Sequence, residues 1–326
     1  MIDFTILVLE ESYASGVAVT LDILAAASAL AVRVAAPVPT WQLCSIEGGS
    51  VRLQGGMSVD TLKLKEVGSG DTSTWVIPGL GMVTHAAITQ RVECADAVRV
   101  IERLARHVEA GGSVAASCSA VFLLQAAGLL RGRRATSTWW LAPLLKKLEP
   151  RCAVDANRMV CADGLVVTAG AAFAQTDLML HLLRERFGGA LTDSVSRMLL
   201  IDGRQAQAPF IVPEVLANGN ELVARIAARI ESALPHSPSI AELAQEFCMS
   251  ERTLSRRIHS ATGKSTLALV QSVKLRRAKN LLETTRMTVD QVAEAVGYQD
   301  STALRRLMKK VIGANPGRCR PESNLN

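Results

Sequence analysis

Cys118 has the clearest chemical setting in the sequence. It lies in Val114-Ala115-Ala116-Ser117-Cys118-Ser119-Ala120-Val121-Phe122, where an apolar strand-like run passes through small residues into a helix-like one. A thiol at such a tight strand-to-helix turn faces the N-terminus of the following helix, whose dipole favours the thiolate and lowers the thiol pKa. Nucleophilic or oxidative chemistry would follow, but a thiolate needs a neighbouring base to be efficient in acyl or aldehyde chemistry. None of the five histidines (His85, His107, His181, His236, His259) has motif support for that role. The seven cysteines form no CxxC pair, and their total is odd. That argues against a disulfide framework or a zinc site, and no metal or cofactor is expected.

A second constellation is made of arginines. Between Ser239 and Arg318 the chain twice repeats one kind of unit. The first is Ile240–Ala244, a break at Cys248-Met249, then Ser250–Ile258; the second is Val289–Ala293, a break at Gly297-Tyr298, then Asp300–Met308. In each, a small-residue helix turns into one with basic residues on one side and aliphatic ones on the other. This is the sequence form of a helix-turn-helix, present here in two copies. Ser250 is a good N-cap, Leu254 and Ile258 face inward, and Arg252, Ser255, Arg256 and His259 are left on a face that fits a major groove. In the second unit Leu304, Leu307 and Met308 pack inward and Ser301, Thr302 and Arg305 point out. Leu267, Val270, Val273 or Lys274, Ala278 and Leu281 are spaced for burial on a helix between the two units. A stiff spacer of that kind sets the recognition helices to enter successive major grooves, roughly 34 Å apart.

The charge distribution agrees. The chain has 326 residues and a formal net charge of +6; from Glu221 onward there are 17 Lys/Arg against 10 Asp/Glu, and the rest is nearly balanced at 19 against 20. A basic module joined to a neutral one is the footprint of a phosphate-binding reader with a separate sensor. With 49% hydrophobic residues each part can bury a core. The apolar run Phe4–Leu9 is too short for a signal peptide, no run is expected to span a bilayer, and a soluble cytoplasmic protein is expected.

The elements that must hold Cys118 alternate. Phe4–Leu9, Trp41–Ile46, Val51–Leu53, Thr74–Ile77 and Ser113–Ser117 read as strands. Val17–Val32, Arg91–Ala110, Ala120–Ala127, Ala174–Phe187 and Thr192–Ile201 read as helices. The pattern predicts an α/β, doubly wound parallel sheet of flavodoxin-like type, followed by an all-α domain with two helix-turn-helix motifs. In such sheets ligands gather at the carboxyl ends of the strands, here Pro78–Gly81, Ser117–Ser119 and Thr168–Gly170. Arg204–Asn220, with two prolines and little periodicity, reads as a linker. The expected division is 1–205, a linker at 206–220, and 221–326.

Residues 1 to about 205 resemble the PfpI-like class I glutamine amidotransferase fold, in the version fused to an AraC-type DNA-binding domain. The residues carrying this are Pro78-Gly79, Cys118, Gly128–Thr136, Trp139, Thr168-Ala169-Gly170 and Asp177. In enzymes of that superfamily the elbow cysteine is the nucleophile, assisted by a histidine about twenty residues later. Thr138 stands at that position here, and Ala120 stands where the regulators usually have glycine. The resemblance with that departure implies a pocket lined by Gly79, Leu80, Cys118, Ser119, Thr138 and Trp139 that binds a small effector of amino-acid or amine type without turning it over. Three alternatives remain: a cysteine-dependent hydrolase or deglycase with a DNA-binding tail, a redox sensor at Cys118, or an inert elbow cysteine. Trp139-Trp140 offers either core packing or an aromatic wall for the effector.

From Glu221 to Pro316 the chain is similar to the AraC/XylS family, on Leu243-Ala244, Ser250, Arg252-Thr253-Leu254, Arg257, Gly263, Leu275-Arg276, Ala278, Leu281-Leu282, Val292-Ala293, Gly297-Tyr298, Arg305-Arg306, Gly313 and Pro316-Gly317. It implies double-stranded DNA as partner, RNA polymerase as a further candidate partner, and a homodimer. By that analogy base contacts fall to Arg252, Ser255, Arg256, Ser301, Thr302 and Arg305, and phosphate contacts to Arg257, Arg306, Lys309 and Lys310. Two departures stand out. Cys248 replaces the usual glycine of the first turn, and a positive φ there would strain it by roughly 1 kcal/mol. Leu304 and Met308 replace the usual phenylalanines of the second unit.

Overall fold

A computed structural model of the chain describes residues 2–65, 71–201, 207, 221–262, 265–312 and 315–319. It divides into two compact units, Met1–Gln207 and Ala208–Asn326. Of the expected linker, only Gln207 lies within the described residues.

The first unit is built on strands that are apolar because both their faces are covered. β1 (Phe4–Leu7), β2 (Trp41–Ser45), β3 (Gly49–Arg52), β4 (Ser58–Lys63), β5 (Thr74–Ile77) and β6 (Ser113–Ser117) come first in the chain. A small parallel pair, β7 (Arg134–Ala135) and β8 (Ala153–Val154), is followed by β9 (Val160–Asp163) and β10 (Val166–Ala169). The main sheet has the order β3-β4-β2-β1-β5-β6-β10-β9. Its centre is parallel, with Phe4 opposite Trp41 and Thr74, Ile77 opposite Ala116, and Ser117 opposite Ala169. Only the edge pairs β3–β4 and β9–β10 are antiparallel.

Side chains alternate between two apolar layers. Ile6, Val76, Ala115 and Val167 pack with α1 (Ala14–Ala31), with α6 (Ala174–Phe187) and with α7 (Gly189–Met198). Leu7, Ile77, Ala116 and Val166 face the other layer, which includes residues of α2 (His85–Val92), α3 (Ala95–Glu109), α4 (Val121–Ala126) and α5 (Ala142–Leu148). The period of two along each strand thus splits one sheet into two cores.

One sequence expectation needs correction. The helix expected over Arg91–Ala110 is two helices, α2 and α3, broken at Glu93-Cys94. Arg91 fixes the corner: its guanidinium meets the Asp96 carboxylate at 2.6 and 2.9 Å and reaches the Glu10 carbonyl at 3.3 Å. The stretch Ala14–Val34 has a mean hydropathy of 1.9 and is, by length and composition alone, apolar enough to cross a membrane. Its apolarity serves the core, since α1 buries Ile23, Leu24, Ala27 and Ala31 completely and packs on α6 and α7.

The second unit is helical: α8 (Glu221–Ser232), α9 (Ile240–Glu246), α10 (Glu251–Thr262), α11 (Thr266–Thr284), α12 (Val289–Ala295) and α13 (Ser301–Ile312). α11 is the spine and contacts α8, α10, α12 and α13. Its buried positions are Leu269, Val273, Leu275, Ala278 and Leu282, whereas Leu267, expected inside, is 56% exposed. The spacing argument started the buried stripe one turn too early, in the turn capped by Ser265. Leu304 and Met308 are fully buried with Leu275, Leu282 and Val292, so aliphatic side chains fill the second core.

Candidate functional site

The loop ends of four strands meet around Cys118. Its backbone N–H donates to the Gly170 carbonyl at 2.7 Å, and its own carbonyl accepts from Ser137 Oγ at 2.8 Å. Ser119 Oγ donates to the Leu80 carbonyl. Tyr13, in the turn after β1, donates its N–H to the Gly79 carbonyl at 2.8 Å. A Cβ placed on Gly79 would fall 2.7 Å from the Cys118 Cβ, so only glycine lets the β5 loop close over the cysteine. Cys118 itself has φ +55°, a strained turn of the kind functional sites retain. Gly79, Leu80, Cys118 and Ser119 are thereby brought together, with Gly170 beneath them.

Burial works against an activated thiol at this turn. Cys118 is fully buried, and this burial pushes its pKa up to about 11, against a smaller lowering by hydrogen bonds from Ser119. The expectation of a lowered pKa fails because desolvation outweighs the helix dipole in a sealed position. Thr138 is buried with its Oγ1 unpartnered among the described residues. Its hydroxyl is not a proton acceptor near neutral pH, and burial lowers the pKa of His107, which is stacked on Trp75 with ring centroids 4.2 Å apart. Trp139 is buried and Trp140 half-buried, edge to face with centroids 5.1 Å apart. Beside Ser119 a small, partly open cleft is lined by Leu80, Met82, Ile88, Arg91, Val92, Ser119, Phe122 and Leu123. Among the described residues no group of His, Cys, Asp or Glu is placed to hold a metal ion.

Two residues near the elbow carried no sequence signal. Tyr13 is half-buried, and its hydroxyl pKa is raised by burial and then by the nearby Cys118. Gln207, in a stretch that reads as linker, is 1% exposed. Its Nε2 lies 3.2 Å from Thr136 Oγ1 and 2.9 Å from each of the Ser137 and Arg158 carbonyls, and its Oε1 accepts from the Trp139 N–H at 3.2 Å.

In the second unit both helix-turn-helix elements are capped alike. Ser239 with Glu242 and Thr288 with Gln291 each form a reciprocal capping box at the start of α9 and α12. Ser250 Oγ accepts from the Thr253 N–H at 3.2 Å at the start of α10, and the Asp300 carboxylate accepts from the Thr302 and Ala303 N–H groups at 2.7 and 3.1 Å at the start of α13. Leu254 and Ile258 are buried, and Arg252, Arg256 and Arg257 are exposed on α10. Ser255 is half-buried, and its hydroxyl is 3.2 Å from Thr266 Oγ1 at the start of α11. On α13, Thr302, Arg305, Arg306, Lys309 and Lys310 are exposed and Ser301 is half-buried. The ion pairs among the described residues of this unit lie elsewhere, at Arg229–Glu246, Arg276–Glu231 and Lys279–Glu283.

A parallel-sheet domain with a cysteine elbow, followed by two capped helix-turn-helix elements with exposed arginines, is the build of a transcriptional regulator with a separate sensor. Two family models agree: one described as the DJ-1/PfpI family matches residues 5–185, and one described as a helix-turn-helix domain matches residues 243–322. The chain belongs to the DJ-1/PfpI family and joins that domain to an AraC-type helix-turn-helix domain. It is 27% identical over 317 residues to the HTH-type transcriptional regulator GlxA of Rhizobium meliloti (strain 1021), covering 96% of this chain and 92% of that one. It is 28% identical over 298 residues to the HTH-type transcriptional regulator CdhR of Pseudomonas aeruginosa, covering 89% and 84%. A solved structure of a transcriptional regulator protein from Vibrio parahaemolyticus matches with a TM-score of 0.50 at 18% identity, covering 61% of this chain and 98% of that one, a likeness of fold.

Proposed function

We propose that the first unit binds a small metabolite of the amino-acid or amine type at the elbow and does not turn it over. Binding there governs how the second unit engages double-stranded DNA. The pocket residues in this reading are Gly79, Leu80, Cys118, Ser119, Thr138 and Trp139. The observation that carries it is the fully buried Cys118 on its left-handed turn, in a chain with Thr138 at the sequence position where the enzymes of this superfamily carry their histidine. In the second unit Arg252, Ser255 and Arg256 on α10, and Ser301, Thr302 and Arg305 on α13, read base edges in successive major grooves. Arg257, Arg306, Lys309 and Lys310 hold phosphates. The protein acts in the cytoplasm as a homodimer, with RNA polymerase as its further partner.

A thermal-shift screen of metabolites on the full chain tests the sensor, because a ligand bound only by the folded state raises its stability by mass action. Hydrolase, glyoxalase and deglycase assays are expected to give no turnover. A steady-state activity that disappears in Cys118→Ser would overturn the reading. Iodoacetamide labelling of Cys118 is expected to be slow at pH 8 and to rise only as the pH approaches about 11.

A further inference from the structure

Gln207 is the one described residue in a run read as linker, and it behaves as a ligand would. A linker side chain is ordinarily solvated, yet this one is 1% exposed and both ends of its carboxamide are engaged. Its backbone N–H is also held, donating to the Asn157 carbonyl at 2.8 Å. The cradle around it belongs to the sensor: Thr136 and Ser137 follow β7, Trp139 follows Thr138, Arg158 precedes β9, and Gly170 follows β10. A Cβ added at Gly170 would fall 2.4 Å from Gln207 Cδ, so the glycine leaves room for the amide. The cradle adjoins the elbow directly, since Ser137 and Gly170 are the two residues hydrogen-bonded to the Cys118 backbone.

We infer that this cradle is the effector-recognition site and that Gln207 is its internal occupant, displaced by an effector carrying an N–H-bearing nitrogen beside an oxygen acceptor. This deepens the sensor reading above and rests on it. The acceptors define the class of molecule. Thr136 Oγ1 and the Ser137 and Arg158 carbonyls lie within hydrogen-bond distance of one nitrogen, and the Thr136 hydroxyl in turn donates to the Arg158 carbonyl at 3.0 Å, so the site calls for a nitrogen that carries N–H groups. The Trp139 N–H supplies the matching donor for a carboxylate or amide oxygen. An α-amino acid or a primary amide fits; a quaternary amine, which has no N–H, does not.

Effector and Gln207 would compete for the same atoms, so occupancy excludes the anchored state. Differential affinity of that kind is what lets a ligand shift a conformational equilibrium. Gln207 is the last residue before the run 208–220 that leads to α8. Its anchor sets where the chain leaves the sensor, and its release is how effector binding reaches the DNA-binding unit.

The experiment titrates the full chain, as wild type, Gln207→Ala and Gln207→Glu, with L-glutamine, L-arginine and glycinamide by calorimetry, using glycine betaine as the probe without an N–H. Gln207→Glu keeps the shape but turns a second oxygen toward three acceptors, and it guards against a folding defect peculiar to alanine. Removing the internal competitor is expected to tighten binding of at least one N–H probe about tenfold in both variants, with no gain for glycine betaine. Equal affinity of wild type and variants for a probe that binds would overturn the inference while leaving the sensor reading standing on another pocket. Folded variants that bind none of the N–H probes would overturn it as well, and the wider metabolite screen would then judge the sensor separately.

Discussion

The two helix-turn-helix elements share one backbone and differ in one residue that ought to matter. In the first turn Cys248 donates to the Gln245 carbonyl at 3.0 Å and Met249 to Ala244 at 2.8 Å; in the second Gly297 donates to Glu294 at 2.9 Å and Tyr298 to Ala293 at 2.9 Å. Both pivots are left-handed, with φ +53° at Cys248 and +77° at Gly297. Surroundings separate them. A Cβ on Gly297 would lie 2.1 Å from the Pro235 carbonyl oxygen, whereas Cys248 is exposed. The first turn therefore bears only the backbone cost of a non-glycine, about 1 kcal/mol, while the second has no room for a side chain. A turn glycine is dispensable where its Cβ would meet solvent and indispensable where a second backbone approaches.

Substitutions can break or sharpen that contrast. Gly297→Ala combines left-handed strain with a backbone clash and is expected to destabilise the second unit by about 3 kcal/mol or more, read by chemical denaturation. If it costs no more than about 1 kcal/mol, the close approach of Pro235 is wrong. Arg256→Ala is expected to lose about 1–3 kcal/mol of discrimination at one base position, and Lys309→Ala to weaken all sequences alike and reduce the salt slope by about one, both read by quantitative band shifts. Ser239→Ala and Thr288→Ala should each cost about 1 kcal/mol, nearly equally, because both capping boxes are complete. Smallest is Cys248→Gly. It relieves the left-handed strain against a more flexible unfolded chain, for a net gain of about 0.5 kcal/mol in denaturation midpoint experiments.

How far the sequence reached depends on whether a signal is local. The central strands announced themselves because burial on both faces makes a continuous apolar run, as in Thr74–Ile77. The peripheral strands β4 and β9 did not, since Ser58–Lys63 is mostly exposed and Val160–Asp163 is only four residues long and ends on a charge. The break between α2 and α3 was hidden by unbroken helical spacing; only the Arg91–Asp96 pair, a tertiary feature, reveals it. Cys118 was legible as an elbow from its small neighbours. Its raised pKa was not, because the Gly79 loop that closes over it lies 39 residues away in sequence. Ser255 read as outward-facing from helical spacing, and its bond to Thr266 depends on how α11 docks. Gln207 was invisible, since linker composition says nothing about one buried side chain.

Hydroxyl-radical footprinting of the full chain on DNA selected from a random pool tests most directly whether two elements of unequal tolerance read two grooves. Two protected windows about one helical turn apart are expected, one lost selectively in Arg256→Ala and the other in Arg305→Ala. A single window, or two windows that both substitutions erase together, would contradict the account.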